Sequence, residues 1–218
     1  ADLDAWHAED RIARRPAQEF LRWCIRNKGM PRLEIPVIPT CNPAPIHQHR
    51  RLALLRRFLT DDQLPLMDRV VATLLLLYAQ PLSRIVRLTI DDVIHDDDGV
   101  LLRLGDPPTA VPEPFAGLLL AFLAARPNTT TATNAGSTWL FPGRRAGQPI
   151  QSQTMGLRLN KLGFVPTNAR TSAIRQLVLQ APPPVVAGML GYHDETAARH
   201  AADAGGTWKS YAPGDRTP

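Results

Sequence analysis

Residues 66–79 read LMDRVVATLLLLYA, a stretch of helical length that is apolar nearly all round. A helix of this kind has no polar face to turn towards water, so other parts of the fold must bury it on all sides. It is shorter than the roughly 20 apolar residues that span a bilayer. The stretch therefore predicts the central helix of a globular domain, and we expect no membrane partner.

Helical spacing of apolar residues recurs on both sides of this segment. It predicts further helices at residues 2–8, 15–27, 47–59, 83–88, 114–125, 152–162, 169–180, 185–190 and 195–202. In the helix at 47–59 we expect an apolar stripe, with arginines outside it, made by Leu52, Leu55, Phe58 and Leu59.

Between residues 94 and 114 the pattern changes to strands and turns. VLLRL reads as a strand, GDPP as a turn and TAVPEP as an edge strand, and residues 138–141 can add a third short strand. The cluster IHDDD at 94–98 is typical of a solvated hairpin tip and lacks the convergent geometry of a metal site. The whole pattern predicts a mainly α fold with a small antiparallel β-sheet.

A proline-rich stretch at residues 31–45 holds five prolines in fifteen positions. Such a stretch forms neither a helix nor a central strand, so it predicts a linker between residues 1–30 and a larger domain at 46–218. The chain begins at Ala1 without an initiator Met, which suggests a piece of a longer protein. Its two cysteines form no disulfide framework, and this favours a reducing cytoplasm.

Positive charge is concentrated near the start of the chain. Residues 1–57 carry 11 Lys and Arg against 6 Asp and Glu, whereas the remaining residues carry 14 of each. A basic segment on a neutral body is typical of an electrostatic contact with phosphates. Arginine is also the side chain best suited to bidentate phosphate contacts, and 22 of the 25 basic residues are Arg.

Several motifs occur in one order along the chain. LLYAQPLSRIVRLTIDDV is followed by the hairpin VLLRLGDPPTAVPEP, then WLFPGR, TNARTSAIRQLVLQAPPPVVAGMLGYH and a late TWKSYAP. In this order and spacing residues 46–212 resemble the catalytic domain of the tyrosine recombinases, the phage-integrase family. Residues 1–30 resemble the last helices of that family's core-binding domain, the other half of a clamp around DNA.

The resemblance implies a specific chemistry. In the family a tyrosine attacks a DNA phosphorus to form a 3′-phosphotyrosine, two arginines hold the non-bridging oxygens, a hairpin Lys protonates the leaving oxygen, and histidines complete the pocket. Fixed guanidinium groups suit this reaction because the attacked phosphate gains negative charge. Because transesterification conserves the bond energy, the resemblance implies no metal or nucleotide cofactor.

The family's H-x-x-R motif falls on residues 167–170, which places the second catalytic arginine at Arg170 and replaces the histidine by Thr167. The second histidine position is Tyr192 or His193, and we favour His193 because its ring can share a proton. Pro81 stands where the first arginine belongs, so the nearest candidate is Arg84, with Arg87 one turn later.

Asp106 stands where the hairpin lysine is expected. The candidate nucleophile is Tyr211, although it follows His193 by 18 residues and the family's usual spacing is about nine. Counted at nine residues, the position falls near 200–202, where the chain has no tyrosine.

The resemblance makes double-stranded DNA the expected partner, in a bacterial cytoplasm and nucleoid, and a homo-oligomer formed on the DNA is a further expectation. We expect DNA contacts from six further arginines: Arg14, Arg15, Arg50, Arg51, Arg87 and Arg175. Two functions follow. One is strand cleavage and rejoining through Tyr211; the other is DNA binding or regulation by a catalytically weakened or inactive relative. A protein-interaction module that has lost DNA is a third reading, and the basic first quarter argues against it.

Overall fold

The computed structural model describes residues 14–31, 45–126, 134 and 136–205, with side chains from residue 19 onward. The chain divides into two compact units, Ala1–Cys41 and Asn42–Pro218. The division falls within the proline-rich stretch at 31–45. The helix expected at residues 2–8 lies outside the described residues, and the assignment of the first unit to a core-binding domain stays a prediction.

In the first unit, helix α1 spans Arg14–Arg26. Phe20 and Trp23 are exposed on it, and their rings stack with centroids 6.2 Å apart. The helix ends where the Gly29 N–H donates to the carbonyl of Cys24 at 2.9 Å. Arg14 and Arg15 lie in α1, but their side chains are outside the described part of the structure.

The second unit is mainly helical, and its helices match the ranges that hydrophobic periodicity predicts to within a few residues. They are α2 (Gln48–Thr60), α3 (Leu66–Tyr78), α4 (Leu82–Ile85), α5 (Phe115–Ala124), α6 (Ser152–Lys161), α7 (Pro166–Gln180), α8 (Pro183–Leu190) and α9 (Asp194–Asp203). With the small sheet described below, the predicted fold class is confirmed.

Helix α3 is the centre of this unit, as its composition predicts. Every residue from Met67 to Leu76 is buried, and α2, α5, α6 and α7 pack around the helix. Its two buried charges are paired: Arg158 donates to both carboxylate oxygens of Asp68, at 2.9 and 3.1 Å, and Arg69 bonds Asp62 at 2.6 Å. These partners let a charged first turn sit inside an apolar core.

Helix α2 corrects two predictions. Its buried residues are Arg51, Leu54 and Phe58, whereas Leu52 is 49% exposed. The Arg51 guanidinium donates to the Leu76 carbonyl from Nε at 3.1 Å and from Nη2 at 2.6 Å. Burial lowers the pKa of Arg51. The prediction that Arg51 lies outside the buried side of α2 is therefore wrong, because its guanidinium bonds the end of α3. A contact of Arg51 with DNA stays a prediction.

A three-stranded antiparallel sheet follows α4. Its strands β1 (Val93–Asp96), β2 (Gly99–Leu102) and β3 (Thr109–Ala110) pair in the order β1-β2-β3. The predicted hairpin is thus present, but the strand before it was expected as a turn. Residues 138–141 do not join the sheet; Trp139 makes only an isolated bridge with Thr89.

Helices α7, α8 and α9 form the last layer, in which α9 packs against both others. Gly191 ends α8 with φ at +61°, a conformation that glycine adopts without steric cost. Among the described residues no helix has the length and apolar character needed to cross a membrane.

The hairpin between β2 and β3 lies directly on the end of α8. The Asp106 N–H donates to the Gly188 carbonyl at 3.1 Å, and the Thr109 hydroxyl donates to the Met189 carbonyl at 2.9 Å. A Cβ atom at Gly105 would lie 2.0 Å from the Gly188 oxygen. The hairpin backbone can reach α8 only because residue 105 has no side chain.

We therefore expect Gly105→Ala to lower the free energy of unfolding by about 2–3 kcal/mol, because the added methyl group forces the two backbones apart. Urea denaturation measures this effect. Gly156→Ala, inside helix α6, is the matched control, because a Cβ atom there would lie an ordinary 3.5 Å from the Leu82 side chain. We expect that control to gain about 0.5–1 kcal/mol from helix propensity. Equal free energies of unfolding for the two variants would contradict the close packing of the hairpin against α8.

Candidate functional site

Five segments of the second unit meet at the end of α8. They are the turn after α3, helix α4, the residues directly after strand β2, residues 190–192 and the first turns of α7. Side chains of the turn after α3 and of α4 donate to residue 190, a side chain of α4 donates to residue 104, and a side chain of α7 donates to residue 79. The segment 190–192 is the centre of the arrangement, and two of the predicted catalytic arginines bond to this junction.

Arg84 binds backbone carbonyls with its terminal nitrogens. Its Nη1 donates to the carbonyls of Leu190 and Gly191, both at 2.8 Å, and its Nη2 donates to the Leu104 carbonyl. The last carbonyls of a helix have no partner within the helix, so a guanidinium is a suitable donor for them. Arg84 consequently links the hairpin to the end of α8.

Arg170 is held differently. Its Nε donates to the Ala79 carbonyl at 2.9 Å and to the Tyr192 hydroxyl at 3.2 Å. The guanidinium carbon lies 5.5 Å from the centre of the Tyr192 ring, within range of a cation–π interaction. No described residue accepts a hydrogen bond from its two terminal nitrogens. The side chain is therefore fixed at Nε while its outer fork remains available.

Tyr192, and not His193, is the residue beside Arg170. The Tyr192 hydroxyl donates to the Ala79 carbonyl, which also accepts from Arg170. Burial raises the pKa of Tyr192, and the charges of Arg170 and Arg84 oppose that rise. His193 is exposed at the N-cap position of α9, and no hydrogen bond joins its ring to a described residue. The proton-sharing role expected of His193 stays a prediction.

The other predicted site residues differ in their exposure and in their hydrogen-bond partners. Thr167 is exposed in the first turn of α7, and its hydroxyl bonds the Asn168 side chain at 3.2 Å. Asp106 is exposed on the hairpin. Arg50 and Arg87 are exposed, and Arg175 is half-buried with an Nε that has no partner. Tyr211 lies outside the described residues.

Two features were missed from the sequence. Gln80 is fully buried, and its Nε2 donates to the Leu190 carbonyl at 2.9 Å, so it braces the same junction as Arg84. A half-open groove of about 1270 Å³ is lined by Arg87 together with Arg144, Arg145 and Arg158 and by no acidic residue. The Arg-Arg pair after WLFPG was visible in the sequence as a signal for a basic groove. Its proximity to Arg87 in the fold was not visible there.

The sequence matches no protein-family model, and no curated protein matches it. Solved structures of similar fold do exist. They include XerA recombinase (14% identity, TM-score 0.55, covering 91% of this chain and 73% of that one). A second is XerH site-specific recombinase bound to its palindromic difH substrate (15%, TM-score 0.53, 75% and 51%). A third is the Tn1549 transposon integrase in complex with circular intermediate DNA (12%, TM-score 0.54, 86% and 72%).

At these identities the likeness shows the fold alone. The second unit has the fold of tyrosine recombinase catalytic domains, mostly helical with a small antiparallel sheet, as the motif order predicts.

The hydrogen bonds of Arg84 predict a role in stability. We expect Arg84→Ala to lower the free energy of unfolding by about 2–3 kcal/mol, because three backbone carbonyls lose their donor. Arg87→Ala, three residues away and exposed, should change it by no more than about 0.5 kcal/mol. Urea denaturation of both variants measures the difference. An Arg84→Ala protein of wild-type stability would show that this guanidinium is free for another partner.

The tyrosine environments predict an unusual alkaline titration. Burial raises the pKa of both Tyr78 and Tyr192, and the chain has three tyrosines. In Tyr211→Phe we therefore expect phenolate absorbance to appear at higher pH in the folded protein than in the denatured one. Since the neutral form is favoured in the fold, the free energy of unfolding should fall as pH rises above ~10. The denatured variant is the control and should titrate near pH ~10; phenolate at lower pH in the native protein would contradict the burial.

Proposed function

We propose that this chain is a DNA-binding protein with a tyrosine recombinase fold, in which Arg170 holds a backbone phosphate of double-stranded DNA. The observation that carries the proposal is the state of the Arg170 guanidinium. It is fixed at Nε by the Ala79 carbonyl and by Tyr192, and its terminal nitrogens meet no acceptor among the described residues. A guanidinium fork oriented in this way is a ready bidentate donor for phosphate oxygens.

The distribution of charge supports the same partner. The groove that contains Arg87, Arg144 and Arg145 has no acidic residue in its lining, and all three of these arginines are exposed. Residues 1–57 add a surplus of five positive charges. DNA-binding proteins obtain most of their sequence-independent affinity from such groups, through release of counterions from the phosphates.

The described residues favour binding over strand cleavage. Asp106 occupies the position of the hairpin lysine, and Thr167 that of a histidine. Tyr192 is a half-buried phenol with a raised pKa, so it cannot act as a base near neutral pH. The family's nine-residue spacing, counted from Tyr192, ends at Ala201. Strand cleavage and rejoining through Tyr211, and assembly of an oligomer on DNA, therefore stay predictions.

Fluorescence anisotropy with a labelled random-sequence duplex tests the binding. We expect Arg170→Ala to weaken DNA binding roughly 10-fold or more, and Arg170→Lys to restore it only in part because an ammonium lacks the planar fork. The slope of log affinity against log salt should become shallower by about one unit in Arg170→Ala. Unfolding curves are recorded first, since Arg170 also bonds the Ala79 carbonyl.

Arg103→Ala, on the exposed side of the sheet, is the matched loss of one positive charge. If Arg170→Ala and Arg103→Ala bind DNA equally well, the assignment of the phosphate to Arg170 is wrong. A suicide duplex that traps covalent protein–DNA adducts separates binding from cleavage. We expect no adduct; an adduct that forms with the wild type and disappears in Tyr211→Phe would instead identify an active recombinase.

A further inference from the structure

A group of positive side chains that includes Arg170 lies on α7 and α9, two helices that pack against each other. His200 of α9 lies within electrostatic range of Arg170 and Arg175 from α7 and of Arg199 from its own helix. Asp203 is the one carboxylate among the groups that act on it. Helix α8, which also packs on α9, contributes no ionisable side chain, since it reads PPVVAGML. Three guanidinium groups and one carboxylate thus act electrostatically on this imidazole.

The charges of this cluster are not neutralised within the described structure. Arg175 has a buried Nε without a hydrogen-bond partner, and no described residue accepts from its other nitrogens. Arg199 is exposed and forms no ion pair with a described residue. Native proteins normally pair a partly buried charge, so an uncompensated group of this kind points to an anion that binds from outside.

The position of His200 suits such an anion. Its neighbour Ala201 is buried in the core, while His200 itself is half-buried in the last turn of α9. Burial lowers the pKa of His200, and the charges of Arg170, Arg199 and Arg175 lower it further, against the opposing effect of Asp203. Without an anion the imidazole is therefore neutral near pH ~7.

We propose that His200 and Arg175 bind a second backbone phosphate of DNA, beside the one held by Arg170, and that His200 takes up a proton when this phosphate binds. The inference rests on the proposed function, which supplies the first phosphate. A phosphate offsets the repulsion from the three arginines and accepts a hydrogen bond from the imidazolium, so the charged form of the ring becomes the favoured one. No bond is made or broken in this step apart from the transfer of one proton from solvent to the ring.

Proton linkage determines the direction in which DNA affinity changes with pH. Because the complex binds one more proton than the free protein, DNA affinity must rise as pH falls through the range between the two pKa values of His200. The gain is at most about 10-fold for each pH unit, and it levels off once the free protein is itself protonated. Tyr192 does not produce this dependence, because burial raises its pKa further from that range.

The experiment measures duplex affinity from about pH 5 to pH 8 at constant salt, within the range in which histidine titrates. We expect the wild type to bind several-fold more tightly at the acidic end, and His200→Gln to lose most of this dependence. His95→Gln is the matched control, because His95 is an exposed histidine on strand β1; it should retain the wild-type profile. Arg175→Gln should weaken binding at every pH.

A direct readout uses the unmodified protein, so it does not depend on the folding of a variant. The ring-proton resonance of His200, assigned by its loss in His200→Gln, is titrated by NMR with and without duplex. A rise of about one unit or more in its pKa on binding supports the proposal. Equal pH profiles in wild type and His200→Gln, or an unshifted resonance, overturn it. If the role of His200 is overturned but Arg170→Ala still weakens DNA binding, the proposed function is kept without the second phosphate. If the protein binds no duplex at all, both the proposed function and this inference are wrong.

Discussion

Several arginines of this structure donate hydrogen bonds to the last carbonyls of its helices. Helix α3 is surrounded on all sides, so its last carbonyls cannot be solvated by bulk water and need protein donors. Arg51 donates to the carbonyl of Leu76, and Arg170 with Tyr192 donates to that of Ala79. The same solution recurs at α2, where Arg69 bonds the carbonyls of Phe58 and Leu59, and at α8, where Arg84 bonds those of Leu190 and Gly191. The positive guanidinium also complements the negative end of each helix dipole.

This constraint explains which parts of the fold were predictable from the sequence. Helices rich in apolar residues, above all α3, were found to within a few residues, because burial of their apolar side chains dictates them. Strand β1 was missed, since its residues VIHD carry no alternating pattern and its pairing depends on the partner strand. Arg51 was misplaced because periodicity assigns every arginine to the surface, whereas a side chain that can satisfy an orphan carbonyl is stable inside.

The candidate site was predictable in part for the same reason. The motif order indicated Arg84 and Arg170, and both reach the junction around residues 190–192. Whether Tyr192 or His193 turns inwards could not be decided from sequence, because the choice depends on the left-handed turn at Gly191, which rotates the chain between α8 and α9. His200 gave no signal either: the spacing of the family motif drew attention to a missing tyrosine, and the charge around the ring arises from another helix.

The arginines of the site have different hydrogen-bond partners, and this difference limits the chemistry that the site can perform. Holding a phosphate requires oriented donors, and the outer fork of Arg170 provides them. Cleaving a phosphodiester also requires groups that move protons as charge develops, because only interactions stronger in the transition state accelerate the reaction. Among the described residues at the junction, Arg84 is engaged with three carbonyls and Tyr192 is a neutral donor to a fourth. His200 lies on the neighbouring helix α9, and the charge of Arg170 acts on its imidazole. Under the proposed function, these groups are suited to holding a phosphate in its ground state and to coupling its binding to the protonation of one imidazole, which is a requirement of binding and not of cleavage.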